Sequence, residues 1–315
     1  MTDPSVLNGL LIVDKPTGPT SHDIVACARR ALGLKKVGHL GTLDPLATGV
    51  LPLVIGRATR LASLLTGTSK QYCAVIRLGL VTDTYDITGT VVGRVNPPHP
   101  ETVPPTDSRM RPPTEEITRA VTRFVGSYSQ VPPPFSAKKV NGVRAYNLAR
   151  NQRPVKVLPK VVNVDELTIL SIDGPLVQCR VVCSAGFYLR SLAHDLGKVL
   201  GCGGCLESLR RERHGPFTLQ SSMPLDRLIG NGESTAAELV PMHSLLTTIP
   251  AVTVSDQGAR RAIHGNLLRA TDLALGKILP PPNAARVRVF DRHERLLAIA
   301  DRRADGTLHP KIVLV

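Results

Sequence analysis

The stretch "GHLGTLDPLATGVLP", residues 38–52, decides the fold, and it raises the question of why one acid, Asp44, stands among so many small residues. It contains three glycines, two prolines and two threonines, which is the composition of a constrained loop. A residue that precedes a proline is driven out of the helical region, so Asp44 is predicted to be held in a turn. Its small neighbours let something come close to it.

The charge of the chain indicates its partner. The 315 residues include 39 Lys and Arg against 25 Asp and Glu, which gives a formal net charge of +14. This excess favours a polyanionic partner such as a nucleic acid, although a basic surface can also serve solubility alone. Aromatic residues make up only 3% of the chain and Trp is absent, which disfavours a nonspecific single-strand binder with many stacking platforms.

The sequence predicts a cytoplasmic protein with no membrane span. No apolar run is long enough to cross a bilayer, and the N-terminus "MTDPSVLNG" lacks the regions of a signal peptide. The cysteines are therefore expected to be reduced thiols. Cys202 and Cys205 have CxxC spacing, but Cys179 and Cys183 lie in a strand-like run where they would be about 13 Å apart. We expect buried or turn cysteines here, and no metal site.

The first third of the chain alternates strand and helix patterns. A strand is predicted in "GLLIVDKPTG" (9–18), followed by a helix capped by Thr20 or Ser21 and stopped by Gly33. A second amphipathic helix is predicted between glycines in "GRATRLASLLTG" (56–67). Alternating apolar residues then predict two strands of a meander, "KQYCAVIRLG" (70–79) and "GTVVGRV" (89–95).

The remainder begins with a proline-rich insertion at 96–113. A helix is predicted from Thr114, with an inward face made of Ile117, Val121, Phe124 and Val125. Further elements are predicted as two strands in 159–170 and 176–186, a helix in 187–201, a boundary near 245–252, and a β appendage of three strands in 285–315.

Several kinds of chemistry find no support in the motifs. The loop around Asp44 lacks the GxxxxGK[ST] pattern, and neither GxGxxG after a strand nor HExxH occurs. Asp83 and Asp86 could bind a cation, but acids in such a turn more often accept local hydrogen bonds. A single acid could instead act on a sugar or a base, which requires a cation to keep it ionised. Arg190, near a helix start where its charge opposes the dipole, is either that cation or a surface residue.

Five segments of the chain carry a family resemblance: "GLLIVDKPTGPTSHDIV", "VGHLGTLDPLATGVLPLVIGRATRL", "KQYCAVIRLGLVTDTYDITG", "PPPFSAKKVNGVRAYNLAR" and "VVCSAGFYLRSLAHDLGKVLGCGGCLESLRR". In order and spacing they resemble the bacterial tRNA pseudouridine synthase B family. The resemblance covers residues 9–230 strongly and the tail weakly. It implies isomerisation of uridine 55 in the T loop of tRNA to pseudouridine, by base flipping, with no cofactor and no metal. The implied partner is the T stem-loop of tRNA, bound by a monomer.

The resemblance also assigns site residues. Asp44 corresponds to the essential aspartate that handles the glycosidic bond, whether by attack on the ribose, attack on the base or removal of a sugar proton. Tyr72 corresponds to the tyrosine that stacks on the target uracil, although without the family it could be a core strand residue, and Arg190 to the arginine that pairs with the aspartate. The remaining implied contacts with the substrate are His39, Tyr188, Leu209 and Lys15.

The expected fold is α+β, with a mixed, largely antiparallel sheet flanked by helices. Residues 1–248 are expected to form the catalytic domain, with the insertion 96–113, and residues 249–315 a small PUA-like RNA-binding β domain. Basic residues before the second half of the sheet are expected to hold RNA phosphates, namely Lys138, Lys139, Arg144 and Arg150. The alternative function is a noncatalytic tRNA-binding or RNA-chaperone protein, which the presence of Asp44, Tyr72 and Arg190 disfavours.

Overall fold

The structure is a computed structural model that describes residues 7–93, 112–136, 158–230, 237–274 and 283–315, with positions 139–140, 143–144, 235 and 281. The proline-rich insertion lies outside the described residues except for its last two positions. Lys138 and Arg150 also lie outside them, while Lys139 and Arg144 belong to a short strand pair.

Helices are interspersed among longer runs of strands along the chain. The helices are α1 Ser21–Leu32, α2 Ala62–Leu65, α3 Thr114–Thr122, α4 Leu189–Val199, α5 Leu225–Gly230 and α6 Asp256–Ile263. The strands are β1 Gly9–Lys15, β2 Val37–His39, β3 Thr48–Ile55, β4 Lys70–Leu78, β5 Val81–Thr82, β6 Val91–Gly93, β7 Gly126–Gln130, β8 Lys139–Val140, β9 Val143–Arg144, β10 Lys160–Asp173, β11 Leu176–Cys183, β12 Gly204–His214, β13 Phe217–Thr218, β14 Met223–Pro224, β15 Val240–Pro241, β16 Ala251–Thr253, β17 Arg286–Phe290, β18 Leu296–Arg302 and β19 Leu308–Val313.

One large mixed sheet forms the body of the molecule, as the sequence predicts. Its main path runs β14-β1-β3-β12-β4-β11-β10-β7. Most neighbours are antiparallel, but β3 runs parallel to β12, where Gly49 lies opposite Arg211. Because β3 follows directly on the loop that carries Asp44, this parallel contact brings the loop to the centre of the sheet.

A second sheet, in the order β16-β17-β18-β19, forms the C-terminal module. Its interior packs around Val287, Val289 and Ala300. The other face of the module shares an apolar cluster with the large sheet, because Leu296 and Leu314 lie in the same cluster as residues of β1 and β3. The module therefore has its own core and a second core in common with the body.

The first helix shows how local signals fix an element. Thr20 caps α1 by accepting from the amide of Asp23, and Asp23 in turn accepts from the amide of Thr20. Gly33 ends the helix in the left-handed region, with φ at 63°. The predicted cap and stop are confirmed, and Ile24 and Ala28 lie on the buried face of the helix.

Three local predictions are wrong. Residues 56–61 form a 3₁₀ helix that passes into the short α2, rather than one continuous helix. Strand β6 pairs with β5 in a separate hairpin, whereas β4 pairs with β11 and β12. Val125 is 47% exposed, and Ala120 takes its place on the buried face of α3. Val125 lies beyond the end of α3, and the pairing of a strand depends on residues distant in sequence.

Within the described ranges, the helices are too short or too polar to cross a bilayer. All six cysteines are unpaired.

Candidate active site

Asp44 lies in the loop between β2 and β3, and the backbone around it is held on both sides. The Ser21 hydroxyl accepts from the amide of Leu43 at 2.9 Å and donates to its carbonyl at 3.0 Å. The amide of Ala47 donates to the Asp44 carbonyl at 3.0 Å. The backbone is thereby fixed, while the Asp44 side chain keeps 35% of its surface exposed.

Lys15 binds the backbone of this loop through its side chain. Its side chain is fully buried, and its Nζ donates to the carbonyls of Pro16, Pro45 and Ala47, the last at 2.7 Å. Burial lowers the pKa of Lys15 to about 8, although the charge of Asp44 opposes the shift. Lys15 thus supports the loop that a substrate would approach, and does not itself face solvent.

Arg190 is the cation beside Asp44. It is the second residue of α4, and its Nε lies 2.9 Å from Asp44 Oδ2 in an ion pair whose N–H direction misses the oxygen. Its other two nitrogens donate to the carbonyls of Thr84 at 3.0 Å and Phe135 at 2.9 Å. The guanidinium is 7% exposed, so its charge is little screened by water.

A second carboxylate shares this guanidinium. Asp86 is 5% exposed, and its Oδ2 lies 3.7 Å from the Nε of Arg190. Its other oxygen accepts from the hydroxyl of Thr84 and the amide of Thr88, both at 3.0 Å. The predicted local hydrogen bonds are present, but sequence reasoning missed the ion pair because 104 residues separate the partners. The signal that could have found it is the position of Arg190 near a helix start, since a cation there is stabilised by more than one acidic partner.

Arg211 is the other functional candidate that sequence reasoning missed. It is fully buried on β12, and its Nε and Nη2 donate to the carbonyls of Val50 at 2.6 Å and Gly41 at 3.1 Å. These two residues bracket the Asp44 loop. A Cβ at Gly49 would lie 2.2 Å from the Arg211 carbonyl oxygen, so the small residues admit strand β12 close to the loop.

Tyr72 points from β4 into the same region and is 6% exposed. Burial raises the pKa of its hydroxyl, and Arg211 partly opposes this shift. A uracil could stack on the ring only after the groups that cover it move aside.

The remaining predicted residues border the loop. His39 ends β2, its ring lies 5.3 Å from that of His22, and its pKa is lowered first by burial and then by His22 and Arg211. Tyr188 precedes α4, and burial raises the pKa of its hydroxyl. Leu209 is buried on β12, and its carbonyl accepts from Thr48 at 3.5 Å.

This arrangement gives an acid that is paired with a cation and yet remains reachable. The Arg190 guanidinium lies 2.9 Å from the Asp44 carboxylate, whose side chain is 35% exposed. An ionised carboxylate can act as nucleophile or base toward a sugar or a base that enters beside it. Within the part of the chain that the structure describes, no group of three His, Cys, Asp or Glu side chains could hold a metal ion.

Two family models match most of the chain. The TruB family pseudouridylate synthase N-terminal domain matches residues 29–189, and the tRNA pseudouridylate synthase B C-terminal domain matches residues 190–249.

Curated relatives extend the likeness to nearly the full length. The tRNA pseudouridine synthase B of Solibacter usitatus (strain Ellin6076) is 40% identical over 314 residues, covering 98% of this chain and 100% of the relative. The protein of the same name from Dehalococcoides mccartyi (strain CBDB1) is 37% identical over 312 residues, covering 98% of this chain and 97% of the relative.

Solved structures resemble the chain in fold. A chain of a Cbf5-Nop10-Gar1 complex aligns with a TM-score of 0.69 and 26% identity, covering 99% of this chain and 86% of that one. A chain of an H/ACA RNP bound to a substrate RNA containing 2′-deoxyuridine aligns with a TM-score of 0.68 and 25% identity, with coverages of 99% and 86%.

Proposed function

The chain belongs to the TruB family of pseudouridylate synthases and is a tRNA pseudouridine synthase of that family; from this premise we propose that it converts uridine 55 in the T loop of tRNA to pseudouridine. The observation that carries the proposal is the ion pair of Asp44 with the buried Arg190, at 2.9 Å. Arg190 is shielded from water, whereas Asp44 remains accessible. An acid that acts on a flipped nucleoside must be accessible in this way.

The reaction needs an anion at the sugar and no redox partner. The C1′–N1 bond breaks, the uracil turns, a C1′–C5 bond forms, C5 loses its proton and N1 gains one. Asp44 serves either as nucleophile or as base in this sequence, and both roles require its ionised form. Arg190 orients the carboxylate. Because no group is oxidised or transferred to another molecule, we propose that no cofactor takes part.

We propose that the base enters beside the acid. Tyr72, His39, Tyr188 and Leu209 supply aromatic and apolar contacts to a uracil there, Tyr72 once the groups that cover its ring have moved aside. Extruding a nucleotide from a folded loop costs a few kcal/mol, which stacking in such a pocket offsets. Lys15 acts through the loop carbonyls that it binds.

We propose that the catalytic domain and the C-terminal module have separate roles. Residues 1–248 perform catalysis, and residues 249–315 form a PUA-like module that contacts RNA outside the T loop. A groove of about 960 Å³ in the module is lined by Arg288, Phe290 and Arg292, which offers both charge and an aromatic face to a nucleic acid. Since tRNA is the substrate, we propose a cytoplasmic site of action.

The test measures tritium released from C5-labelled uridine in a T-arm RNA. We expect Asp44→Asn to bind the RNA normally and to release no tritium. The matched control is Asp14→Asn, because Asp14 also pairs with an arginine, Arg210, at 2.7 Å on the same sheet but outside the pocket. A T-arm RNA with cytidine at position 55 should be inert. Equal activity of wild type and Asp44→Asn would refute the site, and tritium release from the cytidine-55 RNA would refute the position.

A further inference from the structure

The loop that carries Asp86 contains a strained residue. Tyr85 has φ at +63°, in the left-handed region that a bulky side chain rarely occupies. Its two neighbours both reach Arg190, since the Thr84 carbonyl accepts from Nη1 at 3.0 Å and the Asp86 carboxylate lies 3.7 Å from Nε. The unusual backbone at Tyr85 thus directs a carbonyl and a carboxylate toward the same guanidinium.

The ring of Tyr85 stacks on the ring of His194. The two rings are stacked, with centroids 3.9 Å apart and planes 7° from parallel. His194 follows Arg190 by four residues on α4, so both side chains lie on one face of the helix. The helix therefore holds the loop twice, through the guanidinium and through the aromatic stack.

Further contacts of the loop come from β12. The amide of Leu206 donates to the Tyr85 carbonyl, and the amide of Ile87 donates to the Leu206 carbonyl, both at 2.9 Å. These two bonds fix the loop to the strand but do not tie it to α4. The stack is thus a contact between the loop and α4 that does not involve Arg190 itself.

We propose that the Tyr85–His194 stack positions Asp86 and Thr84 against Arg190, and so keeps Arg190 aimed at Asp44 during the reaction. Tyr85 and His194 are positioning residues, since neither one touches Asp44. The burial of His194 lowers its pKa, which agrees with a neutral imidazole in the stack. The inference rests on the proposed role of the Arg190–Asp44 pair.

The test compares single-turnover rates on T-arm RNA at a temperature where every variant is folded. We expect Tyr85→Gly and His194→Ala to react about tenfold or more slowly with unchanged RNA dissociation constants, because small displacements of reacting groups cost large factors in rate. Tyr85→Gly is informative because glycine accepts φ at +63° without strain, so only the ring is lost. Tyr85→Phe and His194→Phe keep the stack and should react within about twofold of wild type.

Two controls make the outcome decisive. Phe124→Leu removes a different aromatic contact, with Tyr128, and should lower stability without slowing the reaction. The double variant Tyr85→Gly/His194→Ala should be no slower than either single variant, since both remove one contact. A wild-type rate in Tyr85→Gly, a His194→Phe as slow as His194→Ala, additive losses, or a parallel loss of RNA affinity would each overturn the proposal. Failure of the wild type on T-arm RNA would instead contradict the proposed substrate.

Discussion

The guanidinium of Arg190 pairs with two carboxylates and donates hydrogen bonds to two backbone carbonyls. Its side chain is 7% exposed. Burying a cation is costly unless it is paired and hydrogen-bonded. The same burial makes its field at Asp44 stronger than that of a surface arginine. The residue is therefore at once a structural centre and the electrostatic partner of the acid.

The first prediction is that Arg190→Met lowers turnover far more than RNA affinity. Removing the cation leaves two carboxylates close together and two carbonyls without a donor, so the unfolding free energy should fall by about 3 kcal/mol. The turnover rate should fall by about 100-fold or more, while the RNA dissociation constant changes by less than about threefold. Calorimetry, tritium release and filter binding measure the three quantities.

The control for this variant is Arg210→Met, because Arg210 pairs with Asp14 at 2.7 Å but is 41% exposed. Exposed ion pairs contribute about 0–1 kcal/mol, so the unfolding free energy and the turnover rate of Arg210→Met should stay close to those of the wild type. A loss of RNA affinity by Arg190→Met in step with its turnover would mean that Arg190 contacts the RNA backbone instead.

The second prediction concerns the pH dependence of stability through Lys15. Burial lowers its pKa to about 8, from 10.5 in the unfolded chain. Between these values the unfolded chain binds a proton that the folded protein has released, so the unfolding free energy rises with pH across this window. The rise due to Lys15 should be about 2–3 kcal/mol.

Other groups titrate in the same window, so the measurement is a difference. Denaturant titrations of wild type and Lys15→Met at pH 7.5 and pH 10.5 should show that the variant lacks this part of the rise. Lys35→Met is the control, since Lys35 is exposed. If Lys15→Met retained the whole rise, Lys15 would be charged in the fold up to high pH.

At the scale of elements, β3 and β12 approach each other as close parallel neighbours, and a glycine permits it. Gly49 has φ at +102°, and a Cβ there would lie 2.2 Å from the carbonyl oxygen of Arg211 and 2.8 Å from its amide nitrogen. Both atoms belong to the backbone, so neither can rotate away. Gly49, which follows the Asp44 loop, thus permits the approach of β12.

The third prediction follows from this contact. Gly49→Ala should lower the unfolding free energy by about 3 kcal/mol or more and abolish activity, because the strands must separate and the Arg211 bonds to the loop must lengthen. Gly67→Ala is the matched control, since a Cβ there meets no atom within 4 Å, and its stability should change by less than about 1 kcal/mol. Urea unfolding compares the two, and equal stabilities would contradict the steric argument.

The elements that could be predicted from the sequence are those with local signals. Thr20 and Gly33 mark the ends of α1 because caps act within one turn. The partner of a strand carries no such local signal, so the predicted meander does not reveal that β6 pairs with β5. Asp44 and Arg190 could be named because of a family resemblance and the helix dipole, whereas Arg211 could not, since its role depends on a pairing across 161 residues.

At the scale of the whole molecule, the C-terminal module and the body share buried apolar surface. Leu296 and Leu314 of the module lie in one cluster with Leu10 and Leu61 of the body, and each is at most 2% exposed. The Nη1 of Arg57 also donates to the carbonyl of Leu314 at 3.4 Å. Removing the module would expose this surface, so its contribution extends beyond any contact with RNA.

The fourth prediction is that Leu314→Ala destabilises the whole chain as one unit. Truncating a fully buried leucine costs about 2–5 kcal/mol through lost burial and the cavity left behind. Because the cluster joins both parts, thermal unfolding should show one transition at a lower temperature, with turnover per folded molecule unchanged. Ile263→Ala, in the same module but 37% exposed, should leave that temperature nearly unaltered. Two separate transitions, with the one of the body unmoved, would show that the shared cluster does not couple the module to the body.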